Sequence, residues 1–147
     1  MQKLIFFLII FFNFGNLFSN EEYFLTLRNE KVNLRQGPSF DYPVKIFYKK
    51  KYLPVLIQDS SNNFRKVRDH ENNSGWIHIS QLSKKKAALN NKERAVIYKK
   101  PSKYSKPIAI AEKGRLLLIK KCKKNWCKIK TEKFSGWIEK KYLSGRL

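Results

Sequence analysis

Cys122 and Cys127 are the residues with the sharpest chemistry in this chain, and they form a CxxxxC arrangement. Dithiol redox sites favour CxxC, so catalysis by this pair is a poor reading. A metal site needs further ligands, and the two histidines do not supply them: His70 falls in a polar turn and His78 on a strand, neither at ligand spacing. No metal and no cofactor are therefore expected. Residues 116–121 and 126–131 read as strands with 123–125 as the turn between them, which sets the two thiols opposite each other across a hairpin. A disulfide of Cys122 with Cys127 is the expected outcome in an oxidising compartment, and loop entropy values so short a ring at about 2 kcal/mol.

Nucleophilic and acid-base catalysis lack their parts. No Ser-His-Asp or Cys-His pair has a third partner. Asp41, Asp59, Asp69 and Glu71 all fall in polar loops, where solvated surface is the default. The expectation is a protein that is not an enzyme. The remaining residues with chemistry are rings and cations, and their positions depend on the elements that carry them.

Those elements occur twice. Residues 54–83 and 115–144 share one pattern: Leu56 aligns with Leu118, Phe64 with Trp126 and Val67 with Ile129 at an offset of 62, and Ser74-Gly75-Trp76-Ile77 matches Ser135-Gly136-Trp137-Ile138 after loss of one residue. Cys122 and Cys127 align with Ser60 and Arg65, so the fold itself requires neither cysteine. Residues 55–57, 64–68, 75–79, 116–119, 126–130 and 136–138 are β-branched, aromatic or alternating, with Asn, Ser, Asp and Gly between them, and they read as short strands. Residues 83–94 read either as about two turns of helix or as an extended basic linker.

At the amino end a single Lys3 precedes an unbroken apolar run over residues 4–12, and Asn13, Gly15 and Asn16 interrupt it. That length suits a signal peptide over residues 1–19. A membrane anchor facing the periplasm is the alternative, although a spanning helix needs roughly 20 apolar residues.

The segment Val32-Asn33-Leu34-Arg35-Gln36-Gly37-Pro38-Ser39, followed by Tyr42-Pro43-Val44, Phe64-Arg65-Lys66-Val67, Gly75-Trp76-Ile77 and Leu82, resembles the bacterial SH3 (SH3b) pattern in order and spacing. The second copy resembles a degenerate version. Pro101-Ser102 survives, Lys99-Lys100 stand in place of Gln36-Gly37, Tyr98 stands in place of Arg35, and the pattern resumes at Trp126-Cys127-Lys128-Ile129 and Gly136-Trp137. The whole is similar to tandem SH3-like proteins of Gram-negative, particularly alphaproteobacterial, envelopes. The resemblance implies an all-β fold of two small SH3-like barrels, over residues 27–83 and 95–145, joined by a basic linker over 84–94. It also implies recognition of a peptide, a glycan or a protein partner.

Local chemistry bears on the same fold. Gly37 before Pro38 suits a tight turn in the first long loop, since Gly tolerates positive φ and Pro fixes the next φ. Gly75 and Gly136 open a strand where a bulky neighbour must sit close, leaving room for Trp76 and Trp137. Alternation puts Ile77 and Ile79 on the face opposite Trp76 and His78. Val67 and Ile129 are expected in the cores, with Phe64 and Trp126 partly exposed beside lysines. A shallow groove would then join Tyr42, Tyr48, Phe64 and Trp76, with Tyr104, Trp126, Trp137 and Tyr142 as its counterpart in the second unit. The competing reading has the same rings merely roofing small barrels.

Charge is the other strong signal. The chain holds 32 basic and 11 acidic residues, a net charge of +21. Residues 28–83 hold 10 basic and 5 acidic residues, and residues 84–147 hold 21 and 4. Lys120, Lys121, Lys123 and Lys124 are the expected centre of a basic surface. Its candidate partners outside the cytoplasm are lipopolysaccharide, anionic lipid head groups, acidic envelope proteins and the carboxylates of cell-wall stem peptides, with nucleic acid bound only non-specifically. Only 7 of the basic residues are Arg, which disfavours bidentate phosphate recognition. A base-composition bias toward Lys codons is the competing explanation of the charge.

Overall fold

The computed structural model describes residues 21–147. The signal peptide or anchor expected over residues 1–19 lies outside the described residues. Two seven-stranded antiparallel sheets fill the described chain, as the all-β expectation required. The first contains β1 (Tyr23–Leu27), β2 (Val32–Arg35), β3 (Val44–Tyr48), β4 (Pro54–Ser61), β5 (Phe64–Arg68), β6 (Ser74–His78) and β7 (Leu82–Ser83), in the order β3-β2-β6-β5-β4-β1-β7. The second contains β8 (Ala87–Asn90), β9 (Arg94–Tyr98), β10 (Pro107–Glu112), β11 (Leu116–Lys123), β12 (Trp126–Lys130), β13 (Ser135–Glu139) and β14 (Leu143–Arg146), in the corresponding order β10-β9-β13-β12-β11-β8-β14.

The repeat holds down to its irregularities. The β4–β5 and β11–β12 ladders both slip register by a bulge, at Ile57/Asp59 and at Ile119/Lys121. Both hairpins turn through one residue of positive φ, Asn62 at 48° and Lys124 at 54°. Asn accepts that conformation far more readily than Lys. In the second hairpin the Cys122–Cys127 disulfide has formed next to this turn.

Alternation along β5 and β12 places Val67 and Ile129 fully inside. Around Val67 pack Val32, Leu34, Val55, Ile57 and Ile77, and around Ile129 pack Ile97, Leu117, Ile119, Cys127 and Ile138. Gly75 is required because β2 crosses it closely: a Cβ there would stand 2.6 Å from the Arg35 carbonyl and 2.7 Å from Leu34. Gly37 has a different role from the one expected. Its φ is not positive; a Cβ would fall 2.5 Å from the Tyr42 ring, so glycine makes room for that ring. Ile79 also departs from expectation, because β6 ends at His78 and Ile79 opens a 3-10 turn with its side chain exposed.

Within residues 84–94, read as a basic linker or a short helix, Ala87–Asn90 forms β8 instead. All four residues are buried, since β8 lies between β11 and β14 and pairs with both. A short apolar run between two ladders gains more from pairing than from a solvated turn of helix. Leu89 reaches beyond its own sheet and joins the core cluster of the first unit, where Leu116 also packs. Arg146 donates from Nη1 to the Phe24 carbonyl at 3.0 Å, adding a polar tie between the units.

Candidate functional site: an aromatic cluster on the first unit

The outward face of β2, β6 and β5 carries two cross-strand rows. Arg35 stands opposite Trp76, and Trp76 opposite Lys66. One row along, His78 stands opposite Phe64. The loop between β2 and β3 lays Phe40 over this second row, with ring centroids 5.2 Å from Phe64 and 5.1 Å from His78; Phe64 and His78 are themselves 5.1 Å apart. Edge-on and tilted arrangements of this kind are favourable beyond simple burial.

Arg35 holds the loop in place. Its guanidinium donates to the carbonyls of Phe40 at 3.2 Å and Tyr42 at 2.9 Å, and lies 5.3 Å from the Phe40 ring. The cation thus orders backbone and ring together. Ser39 Oγ accepts from the Asp41 amide and closes a tight local turn. Ser80 N donates to His78 Nδ1 at 3.2 Å, which fixes the imidazole plane under Phe40.

The result is a ring that remains largely in solvent although it is anchored from three sides: Phe40 is 64% exposed, whereas Phe64 beneath it is 5% exposed. Phe64 was expected to be partly exposed, and Phe40 and His78 are what cover it. Phe64 lies outside the aliphatic core cluster, so its burial belongs to this surface assembly. Tyr42 and Trp76 flank the cluster, Tyr42 exposed and Trp76 half-buried.

Tyr48, expected in the groove, points the other way. Val44, Ile46 and Tyr48 share the inner face of β3, and Tyr48 is 8% exposed. Its hydroxyl donates to Asp69 Oδ2 at 2.8 Å. Asp69 is accordingly buried instead of solvated, and it also accepts from Asn73 N, Asn73 Nδ2 and Glu71 N. Burial alone would raise the Asp69 pKa, but donation by Asn73, Tyr48 and the backbone outweighs it, and the carboxyl titrates below its usual range. Burial, reinforced by the hydrogen bond to Asp69, holds the Tyr48 phenol well above its usual range.

The second unit presents a different surface at the same positions. Tyr98 stands opposite Trp137, which stands opposite Lys128. Glu139 stands opposite Trp126, so Glu139 occupies the place of His78. Lys103 occupies the place of Phe40 and pairs with Glu139 at 3.6 Å, as does Lys141 at 3.1 Å. Trp126 meets Tyr98 edge-on at 5.6 Å. Tyr104 is 100% exposed at the loop tip. Tyr142 sits in a 3-10 turn (Lys140–Tyr142), where Lys92 Nζ donates to its hydroxyl at 3.2 Å and holds the phenol below its usual pKa. Lys120, Lys121, Lys123 and Lys124 are all exposed on β11 and its turn, and none pairs with a carboxylate among the described residues.

Alternation along β6 already places His78 beside Trp76, and its ladder position opposite Phe64 was within reach of the sequence. Phe40 was not, because only the Arg35 contacts define where the loop lies.

A search of curated proteins found no match. Among solved structures the chain is similar to NlpC2 from Trichomonas vaginalis (18% identity, TM-score 0.38, covering 84% of this chain and 48% of that one). It is likewise similar to NlpC1 from the same organism (17% identity, TM-score 0.38, 84% and 46%). A third is an NlpC/P60 family protein from Bacillus cereus (13% identity, TM-score 0.37, 82% and 55%). The chain spans about half the length of each. The bacterial SH3 domain profile matches twice, over residues 28–84 and 91–145. With the repeat and the paired sheets, that double match shows that the chain belongs to the bacterial SH3 domain family.

Proposed function

We propose that the chain is a non-enzymatic binding protein of the cell envelope, exported to the periplasm, whose first unit recognises a cell-wall peptide or glycan through the Phe40–Phe64–His78 surface. The observation that carries the reading is the exposed Phe40 ring, fixed by Arg35 and backed by two further rings. A preordered aromatic of this kind binds with little loss of side-chain freedom. Arg35 and Lys66 set positive charge beside the cluster, which suits the carboxylates of stem peptides. Bacterial SH3 domains bind cell wall, which is consistent with this choice of ligand.

The test is retention on purified sacculi. Phe40→Ala and Trp76→Ala are expected to reduce retention at least tenfold, roughly the loss of a buried aromatic anchor, while a cell-wall zymogram with the unaltered protein stays blank. Retention unchanged in both variants, or a clearing band, would overturn the reading.

A second reading is a basic adaptor that docks on an acidic envelope protein. Lys120, Lys121, Lys123 and Lys124, none paired with a carboxylate among the described residues, favour it. Retention that survives both aromatic substitutions but is lost at high salt would select it.

A further inference from the structure

The two barrels are filled very differently. Structural equivalence sets Leu25, Leu27, Val32, Ile46 and Tyr48 of the first unit against Ala88, Asn90, Ala95, Ala109 and Ala111 of the second. Other positions change the other way: Leu117 and Ile129 stand where the first unit has Val55 and Val67, Leu89 where it has Thr26, and Phe134 where it has Asn73. Protein interiors tolerate few voids, so this loss of side-chain volume must appear somewhere. Part of it appears in a hollow of about 900 Å³, broadly open to solvent, between β10, β11 and the 131–134 turn. The size is that of a small-molecule site, roughly 300–1,000 Å³.

The lining specifies the ligand's buried part. Ala109 and Phe134 present hydrocarbon, and Ile97, Ala111, Leu117 and Ile119 lie buried directly beneath them. Thr131 is the one neutral polar side chain there, and its hydroxyl is already engaged: it donates to the Phe134 carbonyl and accepts from the amides of Lys133 and Phe134. A sugar or an amide pressed against this floor would lose hydrogen bonds to water that the lining side chains there do not replace. The floor favours hydrocarbon. The rim specifies the exposed part. Lys85, Arg115, Lys120, Lys130 and Lys133 stand around it against Glu112 and Glu132, and none of the five cations pairs with a carboxylate among the described residues. Such a mouth favours an anion.

We propose that the second barrel is a binding site for a single acyl chain with an anionic head group, the chain in the alanine-floored hollow and the head among the rim cations. This site is separate from the aromatic cluster of the first unit and does not depend on it.

Decanoate titrated calorimetrically into the full chain at low salt is the test, with 1-decanol as the neutral tail and butyrate as the head without a tail. Saturable binding of one decanoate per chain is expected, with decanol about tenfold weaker or more and butyrate not detected. Ala109→Ile combined with Ala111→Phe restores bulk that the first unit has at those positions. It is expected to abolish binding without lowering the melting temperature. Lys120→Glu with Lys133→Glu, both exposed, is expected to weaken decanoate about tenfold at low salt, with the difference closing at high salt. Absence of saturable binding, equal binding of decanol or butyrate, or full binding by the filled variant would overturn the proposal. Should the filled variant fail to fold, undiminished binding by the rim variant would overturn it as well.

Discussion

At the position opposite the central ring of each meander, the first unit carries His78 and the second Glu139, and at the loop position above it the first carries Phe40 and the second Lys103. One pair stacks and the other forms an ion pair. The same topology thus presents an ordered apolar patch in one unit and a salt-bridged polar surface in the other. The interiors diverge in the opposite sense. Tyr48, Leu53 and Leu27 fill the first barrel, whereas alanines thin the second, which bears the disulfide. A small barrel with a light core gains most from a covalent staple, and Cys127 is itself part of that core. The framework shared by the two units is carried by a few positions, such as Val67/Ile129, Ile77/Ile138 and Gly75/Gly136, while outer face and inner filling vary independently.

The largest expected effect tests the dependence of one unit on the other. Leu89→Ala removes a side chain that the second unit places in the first unit's core. It is expected to cost the first unit about 3 kcal/mol. A denaturant titration followed through the tryptophans reads this, and a change confined to the second unit would break the asymmetry.

Next comes the staple. Reduction of Cys122–Cys127 is expected to lower the stability of the second unit by about 2 kcal/mol while the first is unchanged, as calorimetry with and without reductant will report. Equal destabilisation of both units would mean that they unfold as one.

A smaller effect sharpens the contrast between the interiors. Tyr48→Phe withdraws one donor from buried Asp69 and is expected to cost about 1–2 kcal/mol. The pH dependence follows from the two shifts. Asp69 has a lowered folded pKa, so its contribution is complete above the unfolded value near 3.9 and disappears as pH falls through the folded value. Tyr48 has a raised folded pKa, so its contribution is complete below about 10 and disappears as pH rises beyond it. Melting temperatures across both limbs should lose the alkaline dependence in Tyr48→Phe and the acid dependence in Asp69→Asn. Ala111 and Thr131 replace this pair in the second unit, which should show neither.

The smallest effect on stability belongs to the surface. Phe40→Ala is expected to change unfolding by about 0.5 kcal/mol or less, because the ring is mostly in solvent, although it should weaken ligand retention most.

The central strands of both units were legible because Gly-Trp-Ile and the alternation around Val67 and Ile129 repeat at fixed offsets. The disulfide was legible because hairpin pairing sets Cys122 against Cys127. Strand β8 was not, since Ala87-Ala88-Leu89 follows three lysines and its burial depends on β14, far along the chain. Tyr48 was misplaced on the surface although Val44, Ile46 and Tyr48 alternate inward; an aromatic near a loop reads as a groove residue until Asp69 is seen waiting inside. Phe40 was missed because a loop's path depends on the hydrogen bonds of Arg35, which local pattern does not encode.

Amide and ring chemical shifts of the full chain, titrated with soluble cell-wall peptide fragments, test the division of labour most directly. Shifts centred on Phe40, Trp76 and His78, with Lys103, Trp126 and Glu139 unmoved, are the result expected. Shifts centred on the second unit's face, or spread equally over both, would contradict it.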